Sequence, residues 1–537
     1  VPGLTTDDSD PDFQLYDPLV AISDNDQYVQ RKQYNINGSL TYDILSGLKF
    51  RTDVGYDGVR NDQDRFYGKS TYYVRNFPTG DNAGKPALIL TNGNRVSFRN
   101  TNTLNYNFEK LLGKNHNLTV LLGQEFLKTE ENTLTNVVHG FPSTFSFADA
   151  RVLTTQGAAN SVDHRFANDY KLLSFFGRAN YDYKSKYLLS LAMRVDGSSK
   201  FAQGNQWGYF PSISGAWRII QEDFMNGTKS WLSDLKIRLS YGAAGNDNIP
   251  VGQINQTFEN NTTTWINGAT SFWGPSKIMA NPDLKWETTV SRNVGLDFGF
   301  LKNKVTGTVD AYINRTKDLL MEFAVPGSGY NTQFRNIGET QNKGLELSLN
   351  YKAIQNKNFD LSFSGNISFN RNKVISMGSL INYPGNSNWA STEISTDYLL
   401  IPGASIGRIY GYKNAGRYEV SDFSGFNSAT NTWTLKPGVA NASSVIGTVR
   451  PGSMKLEDLN GDGIVNLSDR TFIGNTMPLH TGGFSINTRV YDFDFAAYFN
   501  WSYGNDVYNA NKIEYTSTSK YKSRNMIDIM ATGKRWT

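Results

Sequence analysis

Apolar and polar residues alternate one by one along most of this chain, in runs too long for an ordinary soluble sheet. Leu361, Phe363, Gly365, Ile367 and Phe369 interleave with Ser362, Ser364, Asn366, Ser368 and Asn370. Val305, Gly307, Val309, Ala311 and Ile313 interleave with Thr306, Thr308, Asp310 and Tyr312. Phe493, Phe495, Ala497, Phe499 and Trp501 do the same with Asp494, Ala496, Tyr498 and Asn500. A strand flips its side chain at every residue, so each run has one apolar face and one polar face. The runs reach ~10 residues or more, the length of a tilted strand that crosses a bilayer. Strands of soluble sandwiches are nearer 5–6 residues.

The connections between runs also alternate in kind. Short turns are expected at Ile44–Gly47, Lys110–His116, Tyr183–Lys186, Phe300–Lys304, Lys352–Lys357 and Val490–Asp492. Between them lie long segments rich in Gly, Asn, Ser and Thr, at 58–94, 131–170, 243–286, 317–342, 374–400 and 413–478. Short turns on one side and long loops on the other mark an outer-membrane barrel, and the loops at 198–206 and 219–234 depart in length without breaking that parity. Tyr181, Tyr183 and Tyr187 flank one turn, and Tyr498, Trp501 and Tyr503 end a strand. Such placement suits aromatic girdles at the membrane interfaces, although the same residues are also good strand formers. The runs suggest about fifteen strands, one of them at 400–413, where bacterial barrels use an even number. The odd count, and an end at Thr537 with no closing strand, suggest an incomplete barrel.

Composition removes other classes. The 537 residues are 39% hydrophobic, with a mean hydropathy of −0.46. No stretch approaches the ~20 apolar residues of a spanning helix. Fifty-three basic residues face 49 acidic ones with no clustered basic face, which argues against nucleic acid as a partner. Cysteine is absent, which suits a chain that crosses an oxidising compartment. The polar opening at Val1 is not a leader, so an exported chain is expected to have had one removed or to begin partway through the gene product.

Several stretches resemble the SusC-like TonB-dependent transporters. They are LNYNFEKLLGKNHNLTVLLGQEF (Leu104–Phe126), Phe175–Arg218 with FFGRANYDYKSKYLLSLAMRVDGSSKF, and LKIRLSYGAAGN (Leu235–Asn246). NPDLKWETT (Asn281–Thr289), NIGETQNKGLELSLNY (Asn336–Tyr351), DLNGDGIVNLSDRTFIGN (Asp458–Asn475) and PLHTGGFSINTRV (Pro478–Val490) continue it in order. The resemblance implies an all-β fold, a transmembrane antiparallel β-barrel of about 22 strands with long extracellular loops and short periplasmic turns. It implies import of a glycan or oligosaccharide, or of a peptide, across the outer membrane of a Gram-negative bacterium, and no enzymatic activity. It also implies a SusD-like surface lipoprotein as lid, energy from the TonB–ExbB–ExbD complex, contact with membrane lipids and pairing into a homodimer of transporter–lid pairs. Residues 1–30 are expected to be a lead-in, possessing no plug-like segment or TonB box, and 31–537 the barrel. A siderophore or cobalamin receptor would share the barrel, and a secreted β-rich adhesin or glycan-binding protein would share the alternation.

The sharpest local motif lies at 458–469. Asp458, Asn460 and Asp462 occupy positions 1, 3 and 5 of an EF-hand-like loop, Gly463 its sharp turn, Ile464 the carbonyl position and Asp469 the last. Oxygen ligands at that spacing wrap a hard cation, so the loop reads as a structural Ca2+ clip; a metal-free Asn/Asp/Gly turn is the plainer reading. The Asp at its last position, where Glu is usual, departs from the pattern. Trp265, Trp273, Trp389 and Trp433 fall in expected loops and could stack on sugar rings, or simply pack those loops. His116, His139, His164 and His480 have no metal-ligand spacing and no nucleophile partner, and no catalytic constellation emerges.

Overall fold

The computed structural model describes residues 22–166, 169–250, 252–266, 269–387, 396–516 and 527–528. Among the described residues, fourteen long strands hydrogen-bond to their neighbours in chain order within one sheet. They are β1 (Asn25–Leu45), β2 (Leu48–Tyr67), β3 (Ala87–Asn107), β4 (His116–His139), β5 (Tyr170–Tyr183), β6 (Tyr187–Ser198) and β7 (Trp207–Arg218). β8 (Leu232–Asn246), β9 (Glu287–Phe300), β10 (Val305–Ala324), β11 (Thr332–Gln355), β12 (Phe359–Ser376), β13 (His480–Val490) and β14 (Phe493–Tyr503) complete the path.

Three expectations are corrected here. The strand expected at 400–413 does not form. Pro402-Gly403 and Gly407 break the run, both glycines in the left-handed region (φ 91° and 81°), and only Arg408–Gly411 is extended there. Those residues join a separate four-stranded sheet, so the path has fourteen strands among the described residues, and the odd count does not hold there. The loop expected over 317–342 is instead mostly strand. β10 and β11 run on to a connection at 325–331, and Leu320 and Phe334 in these extensions pack against an apolar cluster. The segments at 58–94 and 131–170 likewise contain the far ends of β2, β3 and β4.

Contacts divide the chain into two units. The first comprises Val1–Asn226, Lys236–Arg292 and Thr316–Ile337. Its ladder register shows how the alternation is used. Leu122, Gly177, Met193 and Pro211 lie in one row across β4–β7, with Val120, Ala179, Leu191 and Ile213 in the next. Leu122, Leu191, Met193 and Ile213 are all exposed on this apolar face. The turn end closes with the row His116, Tyr183, Tyr187 and Trp217, an aromatic edge. One polar row interrupts the band, where Thr52, Asn102 and Gln124 lie side by side. Asn102 donates to Gln124 Oε1 (3.0 Å) and to Asn100 Oδ1 (2.7 Å), and Asn100 to Thr52 Oγ1 (3.2 Å), so these groups satisfy one another.

The short turns use left-handed backbone. Lys184 and Ser185 have φ of 53° and 54°. Gly47 has φ of 90°, and a Cβ there would sit 2.8 Å from the Asn107 carbonyl oxygen, so this turn requires glycine. At the opposite strand ends, two apolar clusters anchor the loops. Phe66, Leu88, Phe141 and Ala150 form one, beside the helix Phe147–Val152, whose Ser146 and Asp149 make a reciprocal capping box. Phe201, Phe210, Ile249, Leu284 and Trp286 form the other. The Phe210 ring fits because Gly208 and Gly245 lie against it; a Cβ at either would come within 2.4 Å of the ring.

The second unit comprises Gly227–Leu235, Asn293–Arg315 and Gly338–Thr537. β11–β14 repeat the pattern, with rows such as Tyr351, Phe363, Ile486 and Ala497. The connection from β12 to β13, residues 377–479, folds on its own terms. It contains the four-stranded sheet Tyr383–Gly385, Tyr398–Leu400, Arg408–Gly411 and Thr471–Asn475, and a small module around Tyr418, Phe423, Ala442, Leu456 and Val465.

Candidate ligand-handling surfaces

On the polar face of the first unit, the residues opposite Leu191 and Met193 form a charged cluster. Arg194 Nε donates to both oxygens of Asp196 (2.8 and 2.9 Å), and its Nη2 reaches Glu125 (3.2 Å) and Ser174 Oγ (2.9 Å). The guanidinium lies 5.5 Å from the Phe176 ring centre. Phe176 can lie flat across β4 because its partner there is Gly123, where a Cβ would stand 2.3 Å from the ring. Phe176, Arg178, Arg194, Asp196, Phe210 and Ser212 line a concavity of about 550 Å3. Sequence reading did not single out Arg194 or Glu125. Their signal was available, since each is a charge on the polar side of a strand whose other side is lipid-like.

The EF-hand-like loop is ordered by its own side chains. Asp458 accepts the amides of Gly461 and Gly463 (2.8 Å each), and Asp462 accepts that of Ile464 (2.8 Å). Asn460 Oδ1 accepts the Asp462 amide (3.0 Å), and Nδ2 donates to Asp462 Oδ2 (3.0 Å). Asp469 is fully buried and accepts the amides of Asn466 (2.8 Å), Leu459 (2.9 Å) and Asn460 (3.4 Å). The Asn466 amide, aided by the other two, holds its carboxyl below the usual carboxylate range. The Ile464 carbonyl accepts from Asn466 Nδ2 (3.2 Å). Among the described residues, no three acidic, histidine or cysteine side chains converge as a ready-made metal cage. The oxygens of Asp458, Asn460, Asp462 and Ile464 each accept one hydrogen bond and keep a second lone pair, the donor chemistry of a hard-cation site, whereas Asp469 Oδ1 already accepts two amides.

The four tryptophans are not gathered at one place. Trp265 and Trp273 belong to a hairpin, Phe258–Ile266 with Ala269–Pro275, in the first unit. Trp389 lies outside the described residues. Trp433 packs against Phe423 (5.4 Å between ring centres) and Phe426 (5.0 Å) in the module of the second unit, so its ring faces neighbours of its own chain. The histidines are engaged locally: His139 with Tyr73 (3.2 Å), His116 with Tyr181 (2.7 Å) and His480 with Trp501 (3.0 Å), while the His164 ring lies tilted against that of Phe166. The motif NPDLKWETT has a structural role. Leu284 and Trp286 enter the apolar cluster, Trp286 donates to the Gln206 carbonyl (2.8 Å), and Asn281 donates to that of Phe334 (2.7 Å).

Comparison with known proteins agrees with this architecture. The chain is 30% identical over 524 residues to TonB-dependent receptor P3 of Formosa agariphila, which covers 92% of this chain and 47% of that protein. It is 39% identical over 214 residues to TonB-dependent receptor SusC of Bacteroides thetaiotaomicron, covering 39% of this chain and 21% of SusC. The solved RagAB peptide transporter superposes with a TM-score of 0.71 at 25% identity, over 89% of this chain and 48% of that one. The chain therefore spans about half the length of the curated relatives that it matches along most of its sequence. Residues 2–441 match the family model described as TonB dependent receptor-like, beta-barrel, and with its long two-faced antiparallel strands the chain belongs to that family of non-enzymatic outer-membrane receptors.

Proposed function

We propose that this chain is the barrel of a SusC-like transporter that imports a bulky nutrient, an oligosaccharide before a peptide, across the outer membrane of a Gram-negative bacterium. The carrying observation is the two-faced wall, in which an apolar band about ten residues tall stands back to back with a polar face bearing Arg194, Glu125 and Asp196. Likeness to SusC and to RagAB favours glycan or peptide cargo over a siderophore. Work would be done by opening and closing, with ligand biasing those populations. A SusD-like lipoprotein would close the mouth and the TonB–ExbB–ExbD complex would supply energy.

The test is deletion of the gene in its host, followed by uptake of labelled oligosaccharides and peptides, and affinity capture of the tagged full-length protein from membranes. Loss of uptake of one cargo class with co-purification of a surface lipoprotein supports the reading. Unchanged uptake of every cargo, or recovery of the protein without detergent, would sink it and favour a secreted binding protein.

The loop at Asp458–Asp469 is read as a structural Ca2+ clip within this transporter. Asp458, Asn460, Asp462 and Asp469 would supply side-chain oxygens and Ile464 a carbonyl. Support comes from the remaining lone pairs on Asp458, Asn460, Asp462 and Ile464 and from the spacing, and the check is protease resistance of the 412–475 region with and without chelator.

A further inference from the structure

The four-stranded sheet in the connection between β12 and β13 has two unlike faces. One carries Ile409, 7% exposed. The other carries Arg408 and Tyr410, paired in register with Asn475 and Phe472 and continued by Tyr412 and Arg470. These planar groups form a ladder. The Arg408 guanidinium lies 4.2 Å over the Phe472 ring, and Phe472 meets Tyr410 edge-on at 5.8 Å. Arg470 lies 4.7 Å over Tyr410 and 5.9 Å from Tyr412. All five side chains are half-buried.

Among the described residues, neither cation of this ladder has an ion-pair partner. Arg470 donates to the Thr396 carbonyl (2.7 Å), and Arg408 makes no hydrogen bond or ion pair among the described residues. The Nε atom of each is buried without an acceptor. The nearby carboxylates are committed elsewhere: Asp469 to the amides of Leu459, Asn460 and Asn466, and Asp397 to the amide and hydroxyl of Ser387. Two guanidinium groups thus lie over aromatic rings with no carboxylate partner among the described residues. Both side chains are only half-buried, so the N–H donors on their outer nitrogens can meet an acceptor from outside. A fixed guanidinium fork matches the paired oxygens of a carboxylate or sulfate, and the adjoining rings offer an apolar edge.

We propose that this face binds an oligosaccharide bearing uronate or sulfate groups, with Arg408 and Arg470 taking the oxyanions and Tyr410, Tyr412 and Phe472 bordering the sugar. This rests on the reading of the chain as a nutrient importer and narrows its cargo. The shared chemistry is the oxyanion; an acidic peptide could supply it too, and that alternative is an arm of the test.

The experiment is calorimetric titration of the detergent-purified full-length transporter. The probes are an oligogalacturonate, a sulfated oligosaccharide, a neutral oligosaccharide of equal length, and an oligoglutamate peptide. The expected result is binding of an acidic sugar that weakens with salt, over the neutral one, with Arg408→Gln or Arg470→Gln each raising Kd roughly tenfold or more, as befits hydrogen bonds to charged groups. Arg470→Lys keeps the charge and the fold while losing the fork, so it should weaken binding severalfold with an unchanged protease pattern. Equal binding of neutral and acidic sugars, or variants with wild-type affinity, overturns the proposal and leaves the transporter reading standing, with the ladder a device that only packs the sheet. Binding of oligoglutamate in preference to the sugars also overturns it. Loss of the importer reading itself would show separately, as unchanged nutrient uptake in the deletion strain.

Discussion

Replacing Leu191 by arginine tests the assignment of faces directly. Leu191 is 44% exposed on the apolar side of β6, flanked in register by Ala179 and Ile213. It stands four residues beyond Tyr187 in the aromatic row, about 13 Å along the strand and, at a tilt near 45°, about 9 Å in depth. In an apolar band about 25 Å tall, that places it close to the midplane, where arginine on the lipid side costs about 2–4 kcal/mol. The folded-to-unfolded ratio should fall roughly thirtyfold to several-hundredfold. Ser190 is its neighbour on the other face, donating to Asn180 Oδ1 (2.8 Å) opposite a polar row. Arginine there should cost no more than about 1 kcal/mol, since it keeps its hydration and loses one neutral hydrogen bond. The assay is urea unfolding of the full-length transporter in liposomes, followed by tryptophan fluorescence and by heat-modified migration. Equal losses for the two variants, or a larger loss for Ser190→Arg, would refute the two-faced wall.

Three further outcomes follow from local geometry. Glu222, in the turn after β7, accepts from the Tyr187 hydroxyl (2.6 Å), Trp217 Nε1 (3.1 Å) and Lys186 Nζ (3.1 Å), which hold its carboxyl down to about 2. Its stabilising contribution is present above the ordinary carboxylate range near 4.5 and lost as pH falls toward 2; Glu222→Gln should flatten the acid-side rise in hydrogen exchange at 219–231. Tyr418→Phe removes a hydroxyl that donates to the Ala440 carbonyl (2.6 Å) and accepts the Ala442 amide (3.1 Å). It should cost about 1–3 kcal/mol, seen as faster proteolysis confined to the 412–469 module. Chelator, or Asp458→Ala, should loosen the same module in wild type if Ca2+ is held at the loop, and chelator should then do nothing further to Asp458→Ala.

Much of the wall was legible because burial between lipid and a polar interior imposes the alternation at every residue. Phe363 and Ser364 take their faces from period alone. The alternating run Leu361–Asn370 accordingly lies within one strand, Phe359–Ser376. Where strands rise beyond the apolar band, that constraint lapses. Residues such as Arg60–Asp64 are polar on both faces, and hydrogen bonding to a neighbouring strand, which no local pattern reports, decides their structure. The candidate site was less legible for the same reason. The EF-hand-like loop announces itself because its spacing is local, whereas the ladder joins Arg408 to Phe472 across more than sixty residues of sequence and depends on a strand pairing.

The polar row in the apolar band shows where a period rule and an energy rule part. Asn102 and Gln124 lie on the face that Leu104, Leu122 and Phe126 define, so alternation alone would count them as errors. They are tolerated because each amide finds a partner in the next strand, with Asn100 and Thr52 extending the chain of bonds. In hydrocarbon, an amide costs most when its partner is missing, so these residues are conditional on one another. Substituting Asn102 alone strands the oxygens of Asn100 and Gln124. A patch of this kind is read correctly only as a unit: four side chains that are unfavourable singly form a closed set, and the face remains compatible with lipid although its sequence is not uniformly apolar.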